Sequence, residues 1–196
     1  MTRAIHHLRR CWTRLLRRED GNATTEFMII VPVYLALMVM SLELSMITLR
    51  QTMLERGLDI AVRDIRLGTG EFTQTQDTQE EKDKAKADYH DKIKKRICDE
   101  ALIISDCMNS VRLQMIRSNM RNLTTLGDDV QCTDKKETGN QVLDFSPGQQ
   151  NDLMFLRACV KYDPLFPTGQ LARSLTADDS GQLAIVSMSA FVMEPL

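Results

Sequence analysis

Residues 27–49, FMIIVPVYLALMVMSLELSMITL, form a run of 23 residues in which Glu43 is the only group ionised at neutral pH. Nothing else in the chain limits its possible folds so strongly. A helix needs about 20 predominantly apolar residues to cross a bilayer, so this run is long enough to span one. The first competitor is a secretory signal, whose apolar core is usually about 7–15 residues long. This run is longer, and its end, Ser45-Met46-Ile47-Thr48-Leu49-Arg50, has no small-x-small cleavage site. The second competitor is a buried globular helix, but helices apolar on every side are rarely this long outside membranes.

Charge orients the run. Residues 1–21 hold Arg3, Arg9, Arg10, Arg14, Arg17 and Arg18 against Glu19 and Asp20, a net of +4, so the rest of the chain carries −6 of the total of −2. Four arginines stand within the seventeen residues after the run: Arg50, Arg56, Arg63 and Arg66. By the positive-inside bias the N-terminus lies in the cytoplasm and the acidic remainder outside it. An acidic body also repels a phosphate backbone, which argues against nucleic acid as a partner.

Helical spacing continues past the apolar run through Leu54, Leu58, Ala61 and Ile65, with Arg56, Asp59, Arg63 and Asp64 between them. One helix from Thr24 to Leu67 would measure about 66 Å, more than a bilayer, so its outer half must pack on protein. Gly68 and Gly70 are its expected stop, and Pro32 predicts a kink or a lost hydrogen bond within it.

Just before the run stands Glu19-Asp20-Gly21-Asn22-Ala23-Thr24-Thr25-Glu26-Phe27. A basic leader, a glycine, four small or polar residues, a glutamate followed by an aromatic residue and then an apolar helix resemble the TadE/TadF-type pseudopilins of the tight-adherence (Flp) pilus system, within the type IV pilin superfamily. The resemblance covers residues 14–68, and Glu43 and the closing Met193-Glu194-Pro195 also look like family features. The leader is long for an Flp-type prepilin, and residues 73–95 match nothing specific. The resemblance implies cleavage by a prepilin peptidase after Gly21, a new N-terminus at Asn22, and an assembly role for Glu26 and Phe27. It also implies other pilins or pseudopilins, the inner-membrane pilus assembly platform and membrane lipid as partners. Physical chemistry runs alongside it. Gly21 leaves backbone open to a peptidase, and Glu26 suits the first turn of a helix, with Thr24 or Thr25 as its cap. Glu43, an ionisable group inside the span, is a candidate functional residue, and the alternative is that it reaches towards water or pairs with a neighbouring helix, with Ser41 and Ser45 beside it.

Beyond residue 70 the pattern changes. A polar linker over residues 71–83 passes into a helix from about Asp77 to Cys98, with Ala85, Tyr89, Ile93 and Ile97 on one stripe and Glu80–Lys84, Asp88–Lys92 and Asp91–Lys95 as exposed pairs. Three strands are expected from alternation: one at Val111, Leu113 and Met115, one at Leu156, Ala158, Val160 and Tyr162, and one with Ala184, Val186, Met188, Ala190 and Val192 as its apolar face. Cys98, Cys107, Cys132 and Cys159 all follow the apolar run, while Cys11 stands alone in the leader. The even set suggests disulfides outside the cytoplasm, with buried reduced thiols as the alternative. Of the three possible pairings, Cys98–Cys107 and Cys132–Cys159 are favoured, the first stapling a helix end to the sheet entrance and the second pinning a long loop to a strand.

The expected architecture is therefore α+β: a basic cytoplasmic leader (1–21), a long helix (22–70) with its membrane segment at 27–49, and a periplasmic domain (71–196) with a second helix and an antiparallel sheet of about three strands. His6 and His7 stand in the leader and His90 in a charged helix, so no catalytic triad, phosphate loop or zinc site is expected, and neither cofactor nor enzymatic activity. The expected role is structural, in pilus initiation, capping or assembly from the bacterial inner membrane. An unprocessed membrane-anchored adhesion or binding protein is the alternative.

Overall fold

Helix α1, Ala23–Arg66, is continuous for 44 residues and passes unbroken through Pro32. A computed structural model describes residues 23–67, 78–118, 132, 145–166, 169, 174–175 and 181–194. Helix α2 is Gln79–Glu100 and helix α3 is the single turn Cys107–Ser110. Strands β1 (Val111–Ser118), β2 (Leu153–Tyr162) and β3 (Leu183–Val192) form one antiparallel sheet in that order. The α+β class, the long apolar helix, the second helix and the three strands all stand as the sequence predicts. Gly68, Gly70 and most of the expected linker lie outside the described residues.

Chain contacts divide the protein at one point inside α1, into Met1–Leu42 and Glu43–Leu196. Between Thr24 and Leu42 no side chain is buried, and Phe27, Met28 and Ile29 are each about two-thirds or more exposed (65%, 71% and 73%). This helix is long and apolar enough to cross a membrane. A contiguous apolar surface of that kind on a soluble monomer would be unusually large.

From Glu43 onward the same helix is amphipathic. Leu54, Leu58, Ala61, Val62 and Ile65 are buried and share one core with Tyr89, Ile93 and Ile97 of α2 and with the inner face of the sheet, Val111, Leu113 and Met115 from β1 and Met154, Leu156, Ala158 and Val160 from β2. The valine, leucine, isoleucine and methionine side chains among them each contribute about 1.5–3 kcal/mol when fully buried. Gly57 lets α1 and α2 touch: a Cβ there would stand 2.7 Å from the Ile97 carbonyl oxygen. Arg96 Nε donates to Asp64 Oδ2 at 2.7 Å across the same helix pair. On α2 the expected lysine–carboxylate pairs are not formed within 4 Å, and the pair made at that spacing is Arg96–Glu100, at 3.8 Å. At the far end of α1, Arg66 meets Glu194 at 2.9 Å.

Strand β3 reverses the predicted face. Leu183, Ile185, Ser187 and Phe191 are buried, whereas Ala184, Met188, Ala190 and Val192 are exposed. Both faces hold apolar residues, and Leu183, Ile185 and Phe191 take the core while Met188 and Val192 are left outside with the two alanines. The outer face of β1 and β2 is not empty either. Arg157 Nε donates to Gln114 Oε1 at 2.8 Å, both residues being buried, and Cys159 beside them is bonded to Cys132.

The cysteines pair as favoured. Cys98, near the end of α2, is joined to Cys107 at the start of α3, with Cα atoms 5.6 Å apart. Cys132 is joined to Cys159 of β2, with Cα atoms 5.4 Å apart. Cys11 lies outside the described residues.

Candidate functional site

Gly21 and Asn22 lie outside the described residues, so the start of the motif is known from sequence alone. Glu26 stands in the first turn of α1, where the helix dipole favours a carboxylate, and Phe27 beside it is exposed. Thr24 and Thr25 both lie within the described helix, so neither stands outside it as a cap. Ser41 donates to the Met38 carbonyl at 2.8 Å, within its own helix.

Glu43 has partners that the sequence reading did not offer. It is 3% exposed. Oε1 accepts the Leu165 N–H at 3.1 Å and Oε2 accepts the Phe166 N–H at 3.0 Å. A carboxylate gripping two successive backbone amides ties the segment after β2 to α1 through charge-assisted hydrogen bonds. The residue that looked like a lone charge in a span is thus the first anchored residue of the unit Glu43–Leu196.

Seven residues further along α1, Arg50 lies over the Tyr162 ring, its guanidinium carbon 4.3 Å from the ring centre. Arg50, Ile104, Ser105, Tyr162 and Asp163 line a cavity of about 220 Å³. Gln182 Nε2 donates to Asp163 Oδ1 at 3.0 Å. Burial pushes the Tyr162 phenol up, against the opposing charge of Arg50. The next residue, Gln51, donates from Nε2 to Glu55 Oε1 at 2.7 Å and to the Val186 carbonyl at 3.0 Å, fastening α1 to β3.

A second polar cluster, on α2, also escaped the sequence. His90 and Lys94 are each 5% exposed. The His90 ring stands edge-on to Phe145 with centroids 5.1 Å apart, and its Nδ1 is 3.2 Å from Asp91 Oδ1. Periodicity marked only the stripe through Tyr89, and on the adjoining row His90 packs against Phe145, which is bridged to Met115 of β1. Tyr89 is pushed up to about 12 by burial. Burial also lowers Lys94, reinforced by Arg112 and opposed by Asp91.

His90 gives the fold a direction of pH dependence. Burial lowers its pKa, Asp91 opposes the shift and the Lys94 charge adds to it. The unfolded chain therefore takes up the proton first, and stability is lost as pH falls below the ordinary histidine value of about 6.5. Thermal unfolding from about pH 7.5 to about pH 5.5 should show a falling midpoint, and His90→Gln should flatten part of that fall. An unchanged slope in the variant would remove His90 from the account.

No family model matches the sequence, and no curated protein and no solved structure is detectably similar to it.

Proposed function

We propose that this chain is a pseudopilin-like subunit acting in the initiation, capping or assembly of a tight-adherence (Flp, type IVb-like) pilus, processed by a prepilin peptidase and held in the bacterial inner membrane with its body on the periplasmic side. What carries the reading is the division of one helix into two halves. Its first half offers apolar side chains to surroundings outside the chain, and its second half is built into a disulfide-bonded α+β body. A helix of that kind lies in lipid before assembly and in a bundle of like helices afterwards, where van der Waals packing replaces lipid contact. Gly21, Asn22, Glu26 and Phe27 stand at the head of the apolar half, where cleavage would expose a new amine on Asn22 for a neighbouring Glu26 to meet. The bonded cysteines support an oxidising compartment for the body.

N-terminal sequencing of protein recovered from cells tests the reading most directly. A start at Asn22 is the expected result, with Gly21→Ala retaining the leader and Glu26→Ala reducing assembly while leaving thermal unfolding of the body unchanged. An intact leader on the native protein would replace this reading with a fixed membrane-anchored adhesion or binding protein.

A further inference from the structure

Shortly after β2 the chain reads Pro164-Leu165-Phe166-Pro167. Proline has no N–H, so these four residues carry only two such donors, on Leu165 and Phe166. Glu43 accepts both, from Leu165 at 3.1 Å and from Phe166 at 3.0 Å. The Phe166 carbonyl in turn accepts the Gly169 N–H at 2.9 Å. Backbone donors that are all taken up within the chain do not call for water, and that is what backbone needs in order to approach lipid.

The side chains are less enclosed than the donors. Pro164 is buried, whereas Leu165 is 49% exposed and Phe166 is half-buried. A single exposed leucine is ordinary. What distinguishes this one is where its backbone is fastened. Glu43 lies inside the apolar run 27–49 and directly follows Leu42, the last residue of the exposed half of α1. The Leu165 and Phe166 amides are therefore tied to the residue at which the exposed apolar stretch gives way to the folded body. Charge limits the contact on one side. Asp163, exposed immediately before Pro164, keeps that end of the segment in water. Residues 163–169 hold no lysine or arginine, so attraction to anionic headgroups has no part in it.

We propose that Leu165 and Phe166 form a membrane-resting tip that enters the outer edge of the lipid hydrocarbon and seats the body on the bilayer at the level of Glu43. This rests on the membrane reading of the apolar run given above and adds a second point of contact to it. Helix and tip together would hold the tilt of the body, which a single spanning helix leaves free.

The chain has one tryptophan, Trp12 in the leader. In a Trp12→Phe background of the full chain, single tryptophan reporters are read in liposomes of phosphatidylcholine brominated near the glycerol end of its acyl chains, with aqueous acrylamide as the opposing quencher. Leu35→Trp, in the apolar run, reports the membrane reading, and Leu165→Trp reports the tip. Leu67→Trp is the control: Leu67 is also 49% exposed but stands 24 residues beyond Glu43, about 36 Å along the helix. Leu165→Trp is expected to lose most of its emission to brominated lipid and little to acrylamide, with Leu67→Trp showing the reverse. Phe166→Trp, aromatic for aromatic, should repeat the Leu165→Trp result and decides alone should that variant fail to fold. If Leu35→Trp is quenched by lipid while the tip reporters behave like Leu67→Trp, the tip is overturned and the membrane reading stands. Tip reporters shielded from acrylamide yet untouched by brominated lipid overturn lipid as the occupant and put protein in its place. Loss of lipid quenching in Leu35→Trp itself sinks the membrane reading and the tip with it.

Discussion

Reduced protein is expected to lose the cooperative thermal transition of the unit Glu43–Leu196, or to show it about 12–24 °C lower than the oxidised form. The bridges close segments with sequence separations of 9 and 27 residues. In the chain-entropy account they restrict the unfolded ensemble by about 2.7 and about 3.6 kcal/mol. Their sum, about 6 kcal/mol, is comparable to the whole stability of many domains, about 5–15 kcal/mol. The two bridges also act on different structure. Cys98–Cys107 holds the reversal between α2 and β1, where Ala101 N–H bonds the Ile97 carbonyl and Asp106 adopts a left-handed conformation. Cys132–Cys159 fastens its segment to the central strand. Replacing the second pair by alanines should therefore cost more than replacing the first. The check is calorimetry with and without reductant, with thiol titration proving reduction. Four titrated thiols at an unchanged midpoint would remove the bridges from the stability of the fold and weaken the compartment argument with them.

Much of this architecture was legible because two periodicities are hard to disguise. Leu54, Leu58, Ala61 and Ile65 recur at helical spacing with charges between them, and the same spacing carries Tyr89, Ile93 and Ile97. Both stripes are buried where the pattern placed them. The alternation in β1 and β2 was equally plain. Strand β3 was misread because period two fixes a face only when the other face is polar. Leu183, Ile185 and Phe191 compete there with Val186, Met188 and Val192, and Ser187 and Ser189 weighted the choice the wrong way. Side-chain volume does not separate the faces either, since Met188 and Val192 stand outside with the two alanines while Ser187 is buried.

The functional features divide differently. The motif from Gly21 to Phe27 is a linear signal and needs no fold to be seen. The Arg50–Tyr162 cavity joins residues more than a hundred positions apart, and nothing local marks Tyr162 as different from the other inward residues of β2. The His90–Lys94 row is hidden because a charged or titratable residue is ordinarily assigned to solvent, and here His90 packs against Phe145, held by a bridge that no periodicity encodes. Long-range partners of polar groups are the information that a single chain pattern lacks.

Glu43 is where that missing information matters most, and Glu43→Ala should be as damaging as truncating a buried leucine of the outer half of α1. Hydrogen bonds to a charged group contribute about 1.5–3 kcal/mol each. Two are made here. Because Leu165 is 49% exposed, water can take over part of the lost pairing, and the net cost is expected at about 2–4 kcal/mol. Glu43→Gln keeps one side-chain oxygen as an acceptor and loses the charge, so it should fall between wild type and alanine. The alternative origin of any loss is the deletion of a buried side chain as such. Glu43→Met separates the two, since it fills comparable space without accepting a hydrogen bond. If the amide grip is what counts, methionine resembles alanine; if packing counts, it resembles wild type. Denaturant unfolding of the full chain in detergent measures all three. The consequence reaches beyond stability. With Glu43 bound to the body, the part of α1 left for lipid or for a helix bundle is residues 27–42, about 24 Å long against a hydrocarbon core of about 30 Å. On the proposed membrane reading, a span shorter than the hydrocarbon core is met by local thinning of the bilayer or by association with other helices. Releasing the grip by Glu43→Ala would free Leu44 and Leu49 to enter lipid, so proteolytic or labelling mapping should find the protected stretch extended towards Leu49. A cost under about 0.5 kcal/mol with an unchanged protected stretch would deny Glu43 any part in setting that boundary.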